Sequence, residues 1–305
     1  MGATGYNGPR LAFIGFGEAG LAIAGGLKEA GVQQITAYDI LLKEDRSKAL
    51  IEERSSNAGI SLAASPAEAI RGKDIIISTV TCRDAIEAAS QVALHLEPRQ
   101  TYMDLNSVSP KTKKSIQEVI ENAGATFIEA SILSPILPRC HASPMLLSGP
   151  SAPTIIKKLS PFGMHLTDVG PEFGRASATK MFRSIIIKGL EALLQECVIA
   201  ANQYGVTDKV LESISDNHPE IDWKSITDYY LDRTMVHGIR RGQEMEEVAE
   251  TLRGLNIEPL MVEGAAKRIN WLANQELEYY CDGKQPKTYR DILDALDRQA
   301  TQKAD

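Results

Sequence analysis

The chain has 305 residues, 43% of them hydrophobic, and a formal net charge of −7. This length favours two domains over one, and the acidic balance argues against a nucleic acid or an anionic membrane surface as a partner. No apolar run approaches the roughly 18 residues that a membrane span requires.

The cysteines and the amino-terminal stretch predict a cytoplasmic protein. The four cysteines show no C-x-x-C spacing, which argues against a metal or redox motif, and a chain of this size needs no disulfides. The first ten residues, "MGATGYNGPR", lack the charged and then apolar pattern of a signal peptide. We therefore expect reduced thiols and no metal site.

The first half of the chain alternates short β-rich runs with helical stretches. Ser65-Pro66 and Ser109-Pro110 each supply an N-cap serine followed by a proline at the first helical position. This repeated β-α-β succession predicts a doubly wound parallel sheet. The candidate strands are 11–15, 34–39, 61–64, 74–80, 101–105, 126–132, 144–149 and 164–169.

Strand signals end near residue 174, and the remainder has a helical pattern. Residues 174–205 contain no proline and predict one long helix of about eight turns. We therefore predict an α/β domain over residues 9–173 and an all-helical domain over residues 174–305.

Three glycines follow the first predicted strand and open a predicted helix, in the stretch "GFGEAG". In a G-x-G-x-x-G turn, the first glycine (Gly15) permits the tight turn, the second (Gly17) lets the backbone approach a pyrophosphate, and the third (Gly20) lets helix and strand pack closely. The N–H groups at the helix start bind the phosphates. The pattern predicts a Rossmann-type NAD(P)-binding domain. The predicted cofactor contacts are Gly15, Phe16, Gly17, Glu18, Ala19, Gly20, Asp39, Thr79 and Val80.

Asp39 ends the second predicted strand, at the distance from Gly20 where an acidic residue commonly binds the adenosine ribose. Its carboxylate would repel a 2′-phosphate, so NAD is the predicted cofactor. Lys43 and Arg46 follow closely and could instead bind that phosphate, so NADP stays open.

Two further segments carry a family resemblance. "DLNSVSPKT" (104–112) resembles the substrate loop of the β-hydroxyacid dehydrogenase family, which includes 3-hydroxyisobutyrate and 6-phosphogluconate dehydrogenases. The segment 169–196 resembles the family's G-x-x-G-x-x-x-x-x-K motif, which leads into a long interdomain helix. "HGIRRGQEMEEVAETL" (237–252) is similar to a branch with a distinct helical carboxyl-terminal domain. The resemblance implies an NAD(P)-dependent oxidoreductase acting on CH–OH groups, and a homodimer with intertwined helical domains.

By this resemblance Lys180 is the catalytic residue. Oxidation of an alcohol moves a hydride to nicotinamide and a proton to a base, and lysine can serve as that base in a partly buried site. Lys180 also belongs to a polar stripe at helical spacing, which is alternatively an ordinary solvated helix face. The stripe consists of Ser177, Lys180, Ser184, Lys188, Glu191 and Gln195.

The resemblance assigns Asn106 and Ser107 to the substrate and the nicotinamide, although both also suit a turn before the following helix. Ser184 stands where many relatives have asparagine, and is a further candidate substrate contact. His237 and Arg241 lie on a predicted helix, where arginine could hold an acidic group of the substrate. A salt-bridged surface helix explains that pair equally well.

The segment "EASILSPILP" (129–138) departs from the family pattern D-A-P-V-S-G-G, in which glycine N–H groups face the substrate carboxylate. Pro135 has no N–H, so part of that cradle is missing. We therefore expect a substrate bulkier and more apolar than 3-hydroxyisobutyrate.

The predicted function is hydride transfer between nicotinamide and an alcohol or carbonyl of a small hydroxy acid or related compound, with Lys180 as general acid and base. One alternative is an imine reductase, because such enzymes share this architecture, although they typically replace the lysine. The other is a dinucleotide-binding regulatory protein without turnover.

Overall fold

Eight strands form one sheet in the first of two units of the chain. The computed structural model describes residues 8–281, 283 and 286–304, and the two units are Met1–Lys180 and Met181–Asp305. Most of the stretch used to argue against a signal peptide therefore lies outside the described residues. The strands are β1 (Leu11–Ile14), β2 (Ile35–Tyr38), β3 (Ser61–Leu62), β4 (Ile75–Ser78), β5 (Thr101–Asp104), β6 (Thr126–Ile132), β7 (Met145–Ser148) and β8 (Leu166–Asp168).

Every predicted strand is present, shortened by at most two residues at either end. The strand order is β3-β2-β1-β4-β5-β6-β7-β8. All neighbours are parallel except β6 and β7, so the predicted doubly wound sheet is confirmed and contains one antiparallel pair that was not predicted. Parallel neighbours need a long crossover, usually a helix, whereas residues 133–144 contain only the 3₁₀ turn Cys140–Ala142.

The doubly wound arrangement follows from the apolar character of the central strands. β1, β4 and β5 are buried along their whole length, as expected of strands covered on both faces. Phe13 and Ile77 face one apolar cluster, while Ile14 and Ile76 face the other, because side chains alternate along a strand. The helices of this unit are α1 (Glu18–Glu29), α2 (Asp45–Ala58), α3 (Pro66–Ile70), α4 (Ala85–Ala93), α5 (Pro110–Asn122) and α6 (Ala152–Leu159).

The described part of the second unit is helical. The predicted long helix is present as α7 (Arg175–Gln203), whose first residues belong to the first unit. The helices that follow are α8 (Thr207–Asn217), α9 (Trp223–Gly254), α10 (Leu260–Ala273) and α11 (Tyr289–Ala304). No helix in the described ranges is long and apolar enough to cross a membrane.

Helices α9 and α10 pack closely because glycine lies at their contact. A Cβ atom added to Gly238 would overlap Ala273, and one added to Gly242 would overlap the Asn270 amide. The predicted domain boundary at residues 173 and 174 stays a prediction, since α7 is continuous through the point where the two units divide.

Candidate active site

The glycine turn lies where β1 and β4 diverge in the strand order, which is the usual binding crevice of such sheets. Gly15 has a φ of +90°, and a Cβ atom there would come within 2.7 Å of the Thr79 carbonyl oxygen. A Cβ atom on Gly20 would lie 2.8 Å from Thr79 Oγ1, which donates to the Gly15 carbonyl over 2.8 Å. A Cβ atom on Gly17 would meet nothing within 4 Å. The turn is therefore closed towards the sheet and open at its second glycine.

The start of α1 fits a phosphate. Ser65 and Ser109 cap α3 and α5 with their hydroxyl groups, whereas Gly17 at the start of α1 supplies no side-chain cap. Glu18 and Ala19 form the first turn. The first N–H groups of a helix lack partners within it and favour an anion, so this turn could hold the pyrophosphate of a dinucleotide.

Asp39 is tied into the same turn. Its carboxylate, in a residue only 7% exposed, accepts from the Phe16 N–H over 2.6 Å and from the Leu41 N–H over 3.0 Å. Each carboxylate oxygen retains a further lone pair that ribose hydroxyls could use. The ribose role that the sequence predicts for Asp39 stays a prediction, whereas its contact with the glycine turn was not predicted. Lys43 and Arg46 are exposed.

Asn106 connects the carboxyl ends of β4 and β5. Its side-chain oxygen accepts from the Val80 N–H over 2.8 Å, and its amide nitrogen donates to Ser78 Oγ over 2.9 Å. Asn106 is buried, and both ends of its amide have partners in the sheet. Its role as a substrate contact stays a prediction. The observed contacts hold Val80 and the start of the 105–109 loop in position.

Ser107 and Lys180 come together from the two segments that carry the family resemblance. Lys180 Nζ donates to Ser107 Oγ over 2.6 Å, and both residues belong to the first unit. Ser107 is exposed and Lys180 is half-buried. An amine beside a hydroxyl at an accessible loop can exchange a proton with a small molecule placed there.

Glu129 is a site residue that sequence reasoning missed. It lies on β6, is fully buried, and accepts from the Ser177 N–H over 2.6 Å, from the Gly174 N–H, and from Ser148 Oγ over 2.5 Å. It therefore caps the start of α7, one turn before Lys180. A single charge inside the apolar strand "TFIEASI" was the available signal.

A second buried pair supports the 105–109 loop. Lys113 Nζ donates to the backbone carbonyls of Asp104 (2.8 Å) and Ala130 (3.2 Å), and lies 3.5 Å from Asp104 Oδ2. Asp104 Oδ1 accepts from the Asn106 N–H over 2.8 Å. Burial raises the pKa of the Asp104 carboxyl, and the charge of Glu129 adds to this, while Lys113 opposes it.

Some main-chain N–H groups of the 133–144 connection are already hydrogen-bonded within the chain. The Leu133 N–H donates to the Pro144 carbonyl over 3.0 Å and extends the β6–β7 ladder. The Cys140 N–H donates to the Ile136 carbonyl over 2.6 Å, and Pro135 has none to give. That the carboxylate cradle of the family is reduced here stays a prediction.

Arg241 lies in the second unit and binds a partner of its own. Its Nε is 3.0 Å from both carboxylate oxygens of Glu191, and its Nη2 also contacts that group. Glu191 is fully buried and also accepts from Thr234 Oγ1 over 2.5 Å. The observed role of Arg241 is therefore to neutralise buried Glu191 within the helical unit. Its binding of a substrate acid stays a prediction.

The polar stripe of α7 is not a solvated face. Lys188 is 5% exposed and its Nζ lies 2.5 Å from Glu244, while Gln195 is fully buried and donates to Thr234 over 2.7 Å. Burial lowers the pKa of Lys188, and Glu244 opposes this. Ser184 and His237 are half-buried on α7 and α9. In the described part of the chain, no group of three or more His, Cys, Asp or Glu residues is arranged to hold a metal ion.

Two protein families match successive parts of the chain. Residues 10–134 match the NAD binding domain of 6-phosphogluconate dehydrogenase. Residues 201–272 match a domain of unknown function, DUF1932.

Similarity over most of the chain extends to proteins from several organisms. A conserved hypothetical protein of Sinorhizobium meliloti 1021 is 33% identical, with 95% of this chain and 96% of that chain covered and a TM-score of 0.77. An uncharacterized 28.5 kDa protein from the 7S RNA 5′ region of Methanothermus fervidus is 28% identical over 83% of this chain and 94% of its own. The Mycobacterium tuberculosis 3-hydroxyisobutyrate dehydrogenase, solved with L-serine, shares the fold at 14% identity, with 95% and 99% coverage and a TM-score of 0.74.

Proposed function

Because this chain belongs to the β-hydroxyacid dehydrogenase family, in the branch with a DUF1932 helical domain, we propose that it oxidises or reduces a small hydroxy acid or related compound with a nicotinamide dinucleotide. The observation that carries the proposal is the 2.6 Å contact between Lys180 Nζ and Ser107 Oγ. It brings a proton-transfer group to the unit that also contains the glycine turn.

Lys180 acts as general acid and base in this proposal. During oxidation its neutral amine takes the proton of the substrate hydroxyl, and during reduction its ammonium returns a proton to the developing alkoxide. Ser107 orients the amine and hydrogen-bonds the same oxygen. A bound nicotinamide supplies the hydride acceptor or donor. Glycine-turn N–H groups and Asp39 hold the dinucleotide.

We further propose NAD as the preferred cofactor. Asp39 is held against the glycine turn by the Phe16 N–H, so a 2′-phosphate at the ribose would meet a fixed negative charge. NADH should bind more tightly than NADPH, and Asp39→Asn, which can still accept from one N–H, should narrow the difference. Lys43→Ala is the control. Tighter NADPH binding that Lys43→Ala weakens would contradict the assignment.

A substrate panel tests the activity itself. Hydroxy acids, amino alcohols, L-serine and their oxidised partners would be offered with NAD and NADP, and the absorbance of the reduced nicotinamide followed. Turnover of an alcohol that Lys180→Ala abolishes supports the proposal. Cyclic imines in the same panel test the reductase alternative. Thermal stabilisation by NADH without any turnover would favour the regulatory alternative.

We propose a homodimer formed through the helical unit. Ile186 on α7 is 70% exposed, Leu193 on the same helix is 58% exposed, and Ile239 on α9 is 47% exposed. Apolar side chains at such positions favour a protein partner. Light scattering after size exclusion measures the mass, and Ile186→Glu should shift it towards the monomer. Leu94→Glu, at an exposed position of the first unit, should leave it unchanged.

A further inference from the structure

The start of α7 is held by a buried carboxylate. Glu129 is fully buried, and two of its three partners are main-chain N–H groups at the first turn of α7, those of Gly174 and Ser177. A buried charge is stable only where hydrogen bonds and opposite charge satisfy it. Here the N–H groups of the first turn, which have no acceptor within the helix, and the positive end of the helix dipole do so.

The same position in the sheet also supports the loop that meets Lys180. Glu129 on β6 is the register partner of Asp104 on β5. Asp104 Oδ1 accepts from the Asn106 N–H over 2.8 Å, and Ser107 follows directly. One pair of neighbouring acidic residues therefore fixes both sides of the contact between Ser107 and Lys180.

Only one helical turn separates the cap from the reactive amine. Lys180 follows Ser177 by three residues, which corresponds to a rise of about 4.5 Å along a helix. A shift of the helix start would move Lys180 by a similar amount relative to Ser107. Misplacement of a reacting group by about 1 Å can lower a rate by about 100-fold.

We propose that Glu129 is a positioning residue for Lys180: it sets the catalytic amine by capping α7 from strand β6. This inference rests on the proposed function of Lys180. It concerns a residue in the segment where the chain departs from the family pattern. A charge is needed because a carboxylate accepts at both oxygens, whereas a glutamine at this position would turn an NH₂ group towards one of the N–H donors.

The test compares Glu129→Gln and Glu129→Asp with Gln100→Leu. Gln100 is buried at the opposite end of β5, and its amide donates to the carbonyls of Ile70 and Lys73 over 2.7 and 2.9 Å. Its loss therefore controls for general destabilisation. Each variant is measured by thermal unfolding, by NADH affinity, and by kcat and KM on the best alcohol of the panel.

Glu129→Gln should lower kcat by about 10- to 100-fold with NADH affinity changed by less than about twofold. Glu129→Asp keeps a carboxylate and should recover part of the rate. Gln100→Leu should lower the midpoint of unfolding and leave kcat unchanged. In a Lys180→Ala background, Glu129→Gln should have no further effect, because it acts through Lys180. An equal loss of rate in both backgrounds would overturn the inference.

A second readout is independent of turnover. Acetylation of Lys180 by acetic anhydride is followed by peptide mass spectrometry and expressed relative to Lys157, an exposed lysine on α6. Glu129→Gln should change this ratio, whereas Gln100→Leu should not. If no panel compound reacts, the proposed function fails, and the ratio still decides the inference. If Glu129→Gln fails to fold, the ratio in Glu129→Asp decides it, and an unchanged ratio counts against the role of Glu129.

Discussion

The first turns of α7 and the middle of the same helix use similar polar side chains in different ways. Lys180 is half-buried and contacts the exposed hydroxyl of Ser107. Lys188, two turns later, is 5% exposed and forms an ion pair with Glu244. A lysine that contacts a hydroxyl at an accessible loop can exchange a proton with a small molecule there, whereas the ion pair of Lys188 and Glu244 stabilises the packing of two helices.

The buried glutamates Glu129 and Glu191 also differ in the kind of group that each one binds. Glu129 is satisfied mainly by main-chain N–H groups, so its position fixes the backbone of α7. Glu191 is satisfied by the Arg241 guanidinium and the Thr234 hydroxyl, so it links side chains of α7 and α9. The partner of a buried charge therefore indicates what that charge controls.

Lys180→Ala gives the largest expected effect and tests the proposed catalytic role of the first turns of α7. Removal of a general acid or base lowers kcat by about 10²- to 10⁴-fold, while NADH affinity should change little because the proposed role of the lysine is towards the substrate hydroxyl and not the dinucleotide. Steady-state kinetics and a cofactor titration measure both. Thr179→Ala, at the preceding exposed position, is the matched control. Near-normal turnover by the lysine variant would refute its role.

Arg241→Ala tests the ion pair between Arg241 and Glu191, which links α9 to the middle of α7. It leaves Glu191 buried without its cation, which should lower the free energy of unfolding by about 3–5 kcal/mol. Arg240→Ala is the control, because Arg240 is exposed and 4.0 Å from Glu244, so its removal should change that free energy by less than about 1 kcal/mol. Chemical denaturation measures both. A rise in KM of about 10-fold without destabilisation would instead support the predicted binding of a substrate acid.

The local elements of the fold could be predicted because their signals are local. The apolar run before Gly15 and the serine caps at Ser65 and Ser109 each determine structure within a few residues, and the structure confirms them. The direction of β7 could not be predicted, because it depends on whether residues 133–144 fold as a crossover helix. The sequence pattern there gave no helix and no direction.

The site was predicted in part. The glycine turn and Lys180 carry motifs, so they could be found from the sequence. The main-chain partners of Glu129 lie 45 and 48 residues away, and Arg241 lies 50 residues from Glu191, so the sequence does not show which residues these charges contact. Helical spacing placed Lys188, Glu191 and Gln195 on one stripe, but spacing cannot state whether a stripe faces solvent or another helix.

Ser107→Ala tests the hydrogen bond between Lys180 and Ser107. It removes the acceptor of the Lys180 hydrogen bond, and bonds to charged groups contribute about 1.5–3 kcal/mol, so kcat should fall by about 10- to 100-fold. Ser107→Thr retains a hydroxyl and should keep most of the rate. If Ser107→Ala and Ser107→Thr are equally slow, the loss reflects the shape of the loop and not the hydrogen bond.

Gln195→Met gives the smallest expected effect and tests how far the structural network extends along α7. Gln195 is fully buried and donates to Thr234 over 2.7 Å, but its side-chain oxygen accepts no hydrogen bond within the described part of the chain. An unsatisfied buried acceptor is unfavourable, and methionine has a similar length and no such group. The loss of one hydrogen bond and the removal of one unsatisfied oxygen should nearly cancel, so the free energy of unfolding should change by less than about 1 kcal/mol. Thr234→Val is the contrasting variant, because it removes a donor to buried Glu191 and should destabilise the protein more. A larger loss from Gln195→Met than from Thr234→Val would mean that the network is centred on Gln195 and not on the ion pair of Glu191 and Arg241.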